Sequence, residues 1–132
     1  MKINRFEELD VWKNARELCR NIRIYSVNSG MSKDFSIKDQ ILRASGSVMD
    51  NIAEGFERDG KKEFMNFLYI SKGSLGETRS QLHRAFDCGY LNVEEYQQLI
   101  NDCLNLYGQI SKFIHYLSNS EFQGLNKKTL KP

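Results

Sequence analysis

Lys13, Arg16, Arg20 and Arg23 fall three or four residues apart, a spacing that puts four cations on one face of a helix. Such a row can track phosphates, and each phosphate contact steepens the salt dependence of binding. The same row also reads as an ordinary solvated face. A second set, Gln40, Arg43, Ser47, Asn51, Glu54 and Arg58, forms a polar stripe further along. Carboxylate, amide and guanidinium together could serve acid–base chemistry, but no nucleophile–base pair accompanies them and neither His83 nor His115 is near in sequence. The plainer reading is a hydrogen-bonded seam that sets the register of helices or subunits. Its members are Gln40, Arg43, Asn51, Glu54 and Glu77. Glu77 is the preferred partner for Arg43, because a buried carboxylate needs a cation or several donors. Gly73 and Gly76 sit inside a helical pattern, where each costs about 1 kcal/mol relative to alanine. They imply the close approach of another helix, and Gly55 implies the same or marks the end of a regular segment.

The residues of metal and cofactor chemistry lack the spacings it needs. The positions three before His83 and His115 are Ser80 and Lys112, so the Glu-x-x-His signature of di-iron bundles is missing. Cys19, Cys88 and Cys103 are an odd count without paired spacing, which argues against a disulfide framework or a zinc site. They read as small apolar residues or incidental thiols. There is no phosphate-binding loop and no dinucleotide motif. The expectation is no catalytic residue, no metal, no cofactor and no small-molecule substrate.

Four periodic segments must carry these groups. Over residues 6–28, Val11, Ala15, Leu18, Ile22 and Tyr25 recur at the 3-4 spacing of one helix face. A second segment begins near Ser36, where Ser36 and Asp39 form a variant capping box. It carries Ile37, Ile41, Ala44, Val48, Ile52 and Phe56, and breaks near residues 58–60. The third runs from Lys61 to Gly89, a residue suited to a helix C-terminus. Phe64, Leu68, Ser71, Leu75, Thr78, Leu82 and Phe86 form its inner stripe. Asn92 is the expected N-cap of the fourth, whose row is Tyr96, Ile100, Cys103, Tyr107, Ile110, Ile114 and Leu117. Periodicity stops after Ser118. Residues 119–132 are polar and basic, with Lys127, Lys128 and Lys131, and are expected to form a flexible tail. The connections are short, so neighbouring helices should be antiparallel. The predicted architecture is an all-α, up-down-up-down four-helix bundle over residues 1–118.

Composition agrees with one helical domain. The chain has 132 residues, is 40% hydrophobic and 27% charged, and has a single proline at its last position, whereas a β-sandwich or barrel would show many Gly/Pro turns. No apolar run approaches the ~18 residues of a membrane helix, and residues 1–6 do not open a signal peptide, so a reducing cytoplasm is expected. The net charge of +2 does not by itself imply nucleic acid. By segment the charge alternates: +2 over residues 1–27, −2 over 28–60, +2 over 61–90, −2 over 91–118 and +2 in the tail.

Two strings are more specific. Asp50-Asn51-Ile52-Ala53-Glu54-Gly55-Phe56, preceded by Gln40-Ile41-Leu42-Arg43-Ala44, is followed by Gly73-Ser74-Leu75-Gly76-Glu77-Thr78, with Leu9-Asp10-Val11-Trp12-Lys13 upstream. Together they resemble the bacterial four-helix-bundle family associated with rRNA intervening sequences. The related accessory protein of diversity-generating retroelements looks similar. The resemblance spans residues 9–117. Two departures are the absence of a proline before the second helix and the glycine at position 76. The resemblance implies a non-enzymatic cytoplasmic homopentamer. Independently, Phe64, Phe67, Leu68, Tyr69 and Ile70 are more apolar surface than one core face requires, which points to self-association. The reading of function is a non-catalytic, self-assembling protein that binds RNA or DNA through the Lys13–Arg16–Arg20–Arg23 face, with the tail lysines as an accessory arm. The alternative is an oligomeric or protein-binding scaffold without nucleic-acid affinity.

Overall fold

The computed structural model describes residues 3–119; the expected tail of residues 119–132 lies, except for Asn119, outside the described residues. The architecture is an all-α four-helix bundle. Its helices are α1 (Asp10–Asn28), α2 (Phe35–Glu57), α3 (Lys61–Asp87) and α4 (Val93–Ser118).

The helix ends follow local side-chain chemistry, with two corrections. The first segment does not run as one helix from Phe6. Phe6–Glu8 is a separate 3-10 turn, and Leu9 is extended before α1 begins. Leu9 is buried there, and Phe6 packs edge-on to Trp12 at 5.1 Å, so an apolar elbow replaces the first helical turn. The second correction is the cap of α2. Asp34, rather than Ser36, is the N-cap, and its carboxylate accepts from the Ile37 N–H at 3.3 Å. Tyr90, from the α3–α4 connection, donates its hydroxyl to the same carboxylate at 2.8 Å. The Tyr90 ring also lies 3.1 Å from where a Cβ on Gly30 would be, so a side chain at that position would push the ring by a few tenths of an ångström.

Gly89 ends α3 with φ of +81°, a conformation costly to any residue with a Cβ. The Gly89 and Tyr90 N–H groups donate back to the Phe86 and Ala85 carbonyls, satisfying two orphan acceptors of the last turn. Asn92 caps α4 in a full capping box with Glu95, which satisfies two orphan donors reciprocally.

Burial of the predicted stripes holds the bundle together. Phe56, Phe64 and Phe113 form a continuous edge-to-face run with centroids 6.0 and 5.5 Å apart, each such pair adding about 0.5–1.5 kcal/mol beyond its burial. Helices α2 and α3 make the closest pair. Gly55 lies against Phe67, and the Ser71 hydroxyl donates to the Val48 carbonyl at 2.7 Å. Gln81 donates to Gln40 at 2.8 Å near the other end. These contacts run in opposite chain directions, so the two helices are antiparallel. Small side chains on the facing rows let the backbones come close.

Candidate nucleic-acid interface

The α1 stripe of Val11, Ala15, Leu18 and Ile22 is buried, and the helical period therefore turns Lys13, Arg16, Arg20 and Arg23 outward, where all four are exposed. Arg20 pairs with Glu17 at 3.4 Å, both being well solvated. The Arg16 guanidinium lies over the Trp12 ring, 5.6 Å from its centroid. Lys13 and Arg23 make no ion pair among the described residues. Two of the four cations are thus uncommitted, and among the described residues Arg20 alone of the row is paired with a carboxylate. The row does not continue as charge along the whole helix: the exposed residues Ile24 and Val27 finish the same face. The sequence contained that signal, since both residues stand off the core stripe.

The α2 stripe is arranged differently from the expected seam. Arg43 is exposed and pairs with Asp39 at 3.0 Å on its own helix, not with Glu77. Glu54 pairs with Arg58 at 3.2 Å, also within the helix. Glu77 is exposed on α3, turned away from the α2 contact that its neighbours Ser74 and Thr78 face. Asn51 is half-buried and donates to the Ser47 carbonyl and hydroxyl at 2.8 and 2.9 Å. The polar contacts that do cross from α2 to α3 are short ones. Ser47 meets Ser74 at 2.8 Å, and Gln40 accepts from both Gln81 and Arg84. Arg43 and Glu54 find partners one turn away along α2, so what crosses to α3 is hydroxyl and amide, joined at one end by the Arg84 guanidinium.

Of the three glycines read as close-packing positions, Gly55 alone has that role within the chain. A Cβ there would lie 2.6 Å from the Phe67 Cβ, whereas Gly73 and Gly76 face open space. His83 bonds with the Tyr96 hydroxyl, and His115 with Asn119. Cys88 is exposed and Cys103 buried; burial pushes the Cys103 thiol up to about 12. Tyr90 holds the Asp34 carboxyl below the ordinary carboxylate range, helped by the Ile37 N–H, and the same bond raises the Tyr90 phenol. Among the described residues no group of three His, Cys, Asp or Glu side chains is placed to hold a metal ion, and no helix is long and apolar enough to cross a membrane.

Between α1 and α4 lies a cleft of 270 Å³ lined by amides and two carboxylates, with Asn14 donating to Gln109 across it at 2.8 Å. On the far side of α4 the Lys72 ammonium of α3 sits 4.6 Å from the Tyr107 ring and 5.7 Å from the Tyr69 ring. Both tyrosines are exposed, at 42% and 55%. Their meeting across the α3–α4 seam is not readable from one helix alone.

The class these features define is a small antiparallel helical bundle whose charged groups are spread over outer faces. The family described as 23S rRNA-intervening sequence protein matches residues 7–112, and the chain belongs to that family. A solved structure of a protein of unknown function, from the S23 ribosomal protein family of Bacteroides thetaiotaomicron, is similar. It is 25% identical, with 80% of this chain and 95% of that one covered and a TM-score of 0.73. No curated protein matches the chain.

Proposed function

We propose that this chain is a non-catalytic, self-assembling bundle protein that binds the phosphates of RNA or DNA through the outer face of α1. The observation that carries the reading is the row of Lys13, Arg16, Arg20 and Arg23, all exposed and with only Arg20 tied to a carboxylate. Contacts from such a row go to phosphates, so they position a strand without reading its sequence. Membership of a family named for 23S rRNA intervening sequences supports an RNA-related role. Exposed Phe35, Ile70 and Val93, which lie off the Tyr69–Tyr107 seam, support self-assembly, since large apolar side chains left in water mark surface that a second copy can cover. The resemblance supplies the subunit number, five, and a cytoplasmic setting. A ring would repeat the α1 row around its circumference and add avidity without new contacts.

One observation favours a second reading, a scaffold that binds protein. Ile24 and Val27 end the basic face in exposed aliphatic surface, which phosphates would leave unused. Light scattering on the purified chain and a salt series of binding to labelled RNA and DNA separate the two. Multimers with affinity falling steeply in salt support the proposal. Multimers with no binding at low salt leave the scaffold, and a monomer removes the self-assembly claim.

A further inference from the structure

We propose that the α3–α4 seam carries a second nucleic-acid contact, specific to single strands, in which unpaired bases stack on Tyr69 and Tyr107 while Lys72 takes a phosphate. The inference rests on the nucleic-acid reading above and adds the class of substrate. It concerns a different surface, because α3 is separated from α1 by α2 on one side and α4 on the other.

Lys72 is half-buried in the seam with its ammonium over two tyrosine faces. It has no carboxylate partner among the described residues, and neither does Arg79, further along the same side of α3. Seven residues separate the two cations, about 10 Å along the helix axis. The seam is therefore an uncompensated positive line next to exposed aromatic rings. Such a combination follows a single strand, because the cations track the backbone and every base offers a π face. Beside Lys72 the α3 surface is open: a Cβ on Gly76, one turn along, would touch nothing within 4 Å. Leu104, also exposed, extends the flat surface.

The cation–π arrangement describes the empty seam. A phosphate oxygen is a stronger partner for an ammonium than a neutral ring, because the bond is charge-assisted. Lys72 would turn to the phosphate, and the ring faces it had covered would become available to bases. Paired bases within a duplex present no free face, so a duplex would contact only cations. The alternation of cation and ring favours a single strand as occupant, because each nucleotide brings a phosphate and a base together and so meets Lys72, Arg79 and both rings in one repeat.

The test compares Tyr69→Ala and Tyr107→Ala with Tyr69→Phe and Tyr107→Phe in the full chain. The probes are labelled oligothymidylate, labelled oligouridylate and a labelled mixed-sequence duplex. Each alanine variant is expected to lose about tenfold in affinity for the single strands and to keep its affinity for the duplex. The phenylalanine variants, which retain the π face, should bind as the parent does. Light scattering should show every variant assembling as the parent does. Alanine variants that bind single strands unchanged, or lose single strand and duplex equally, overturn the stacking site and leave the α1 reading standing. Alanine variants that fall to smaller assemblies show instead that the rings join copies of the chain, which also overturns it. A parent protein that binds no probe at low salt overturns both readings together.

Discussion

Replacing Gly55 by alanine should weaken the α2–α3 pair, the tightest contact in the bundle. The new Cβ would stand 2.6 Å from the Phe67 Cβ and 2.9 Å from the Phe64 Cδ1, whereas carbons in good contact are about 3.5–4.0 Å apart. Neither neighbour can swing away. The Phe67 Cβ is attached to the α3 backbone, and Phe64 is wholly buried between Phe56 and Phe113. Helix α3 must retreat by about 1 Å, and overpacking of this kind costs ~1–3 kcal/mol. Alanine's better helix propensity returns up to about 1 kcal/mol, less here because α2 ends two residues later at Glu57. The net loss is about 1–2 kcal/mol, which lowers Tm by about 4–8 °C. Gly73→Ala and Gly76→Ala are the controls. They meet open space, so each should gain about 0.5–1 kcal/mol in dilute protein. Urea unfolding of the three variants checks this. A Gly55→Ala chain as stable as the parent would refute the packing argument, and Gly73→Ala as damaging as Gly55→Ala would refute the claim that its face is open.

Arg43→Ala should change stability by no more than ~0.5 kcal/mol in urea unfolding, because an exposed i,i+4 pair contributes little and the Arg43 side chain is 79% exposed. Cys88 should react with a thiol reagent at pH 8 while Cys103 does not, since Cys103 is buried and its thiol remains protonated up to about pH 12; equal reactivity in folded protein would contradict its burial. The Asp34 carboxyl is held below its ordinary value of 3.8 by Tyr90 and the Ile37 N–H. Its contribution is therefore present above that value and is lost as pH falls through the lowered one. Asp34→Asn should flatten the acid limb of stability against pH, as followed by urea midpoints, and an unchanged limb would show that the Tyr90 bond does not persist in solution.

The helices were legible because their stripes and several of their ends are written in neighbouring residues. Gly89 and Asn92 act on the turns they belong to, so spacing alone identifies them. Asp34 was masked by Ser36 and Asp39, which have the form of a capping box. Asp34 caps through the nearby Ile37 N–H, and Tyr90, fifty-six residues away, adds a second bond that no local pattern carries. The Arg43–Glu77 pairing failed for a related reason. A helical row gives the direction in which a side chain points but not the residue it meets, and Arg43 finds Asp39 one turn away before it can reach α3. The outward turn of Lys13, Arg16, Arg20 and Arg23 was readable because their own core stripe dictates it. The Tyr69–Lys72–Tyr107 group was not, since it exists only where two helices meet.

The most direct test of the α1 face is the salt slope of binding after charge reversal. Arg16→Glu, Arg20→Glu and Arg23→Glu are combined in one chain, with light scattering to show that its assembly matches the parent's. Each phosphate that the variant no longer neutralises should reduce the slope of log affinity against log salt by about 0.7 for a single strand or 0.9 for a duplex. The combined variant should therefore bind weakly and with a slope smaller by at least about 2. Affinity and slope equal to those of the parent would contradict the claim that α1 is the nucleic-acid face.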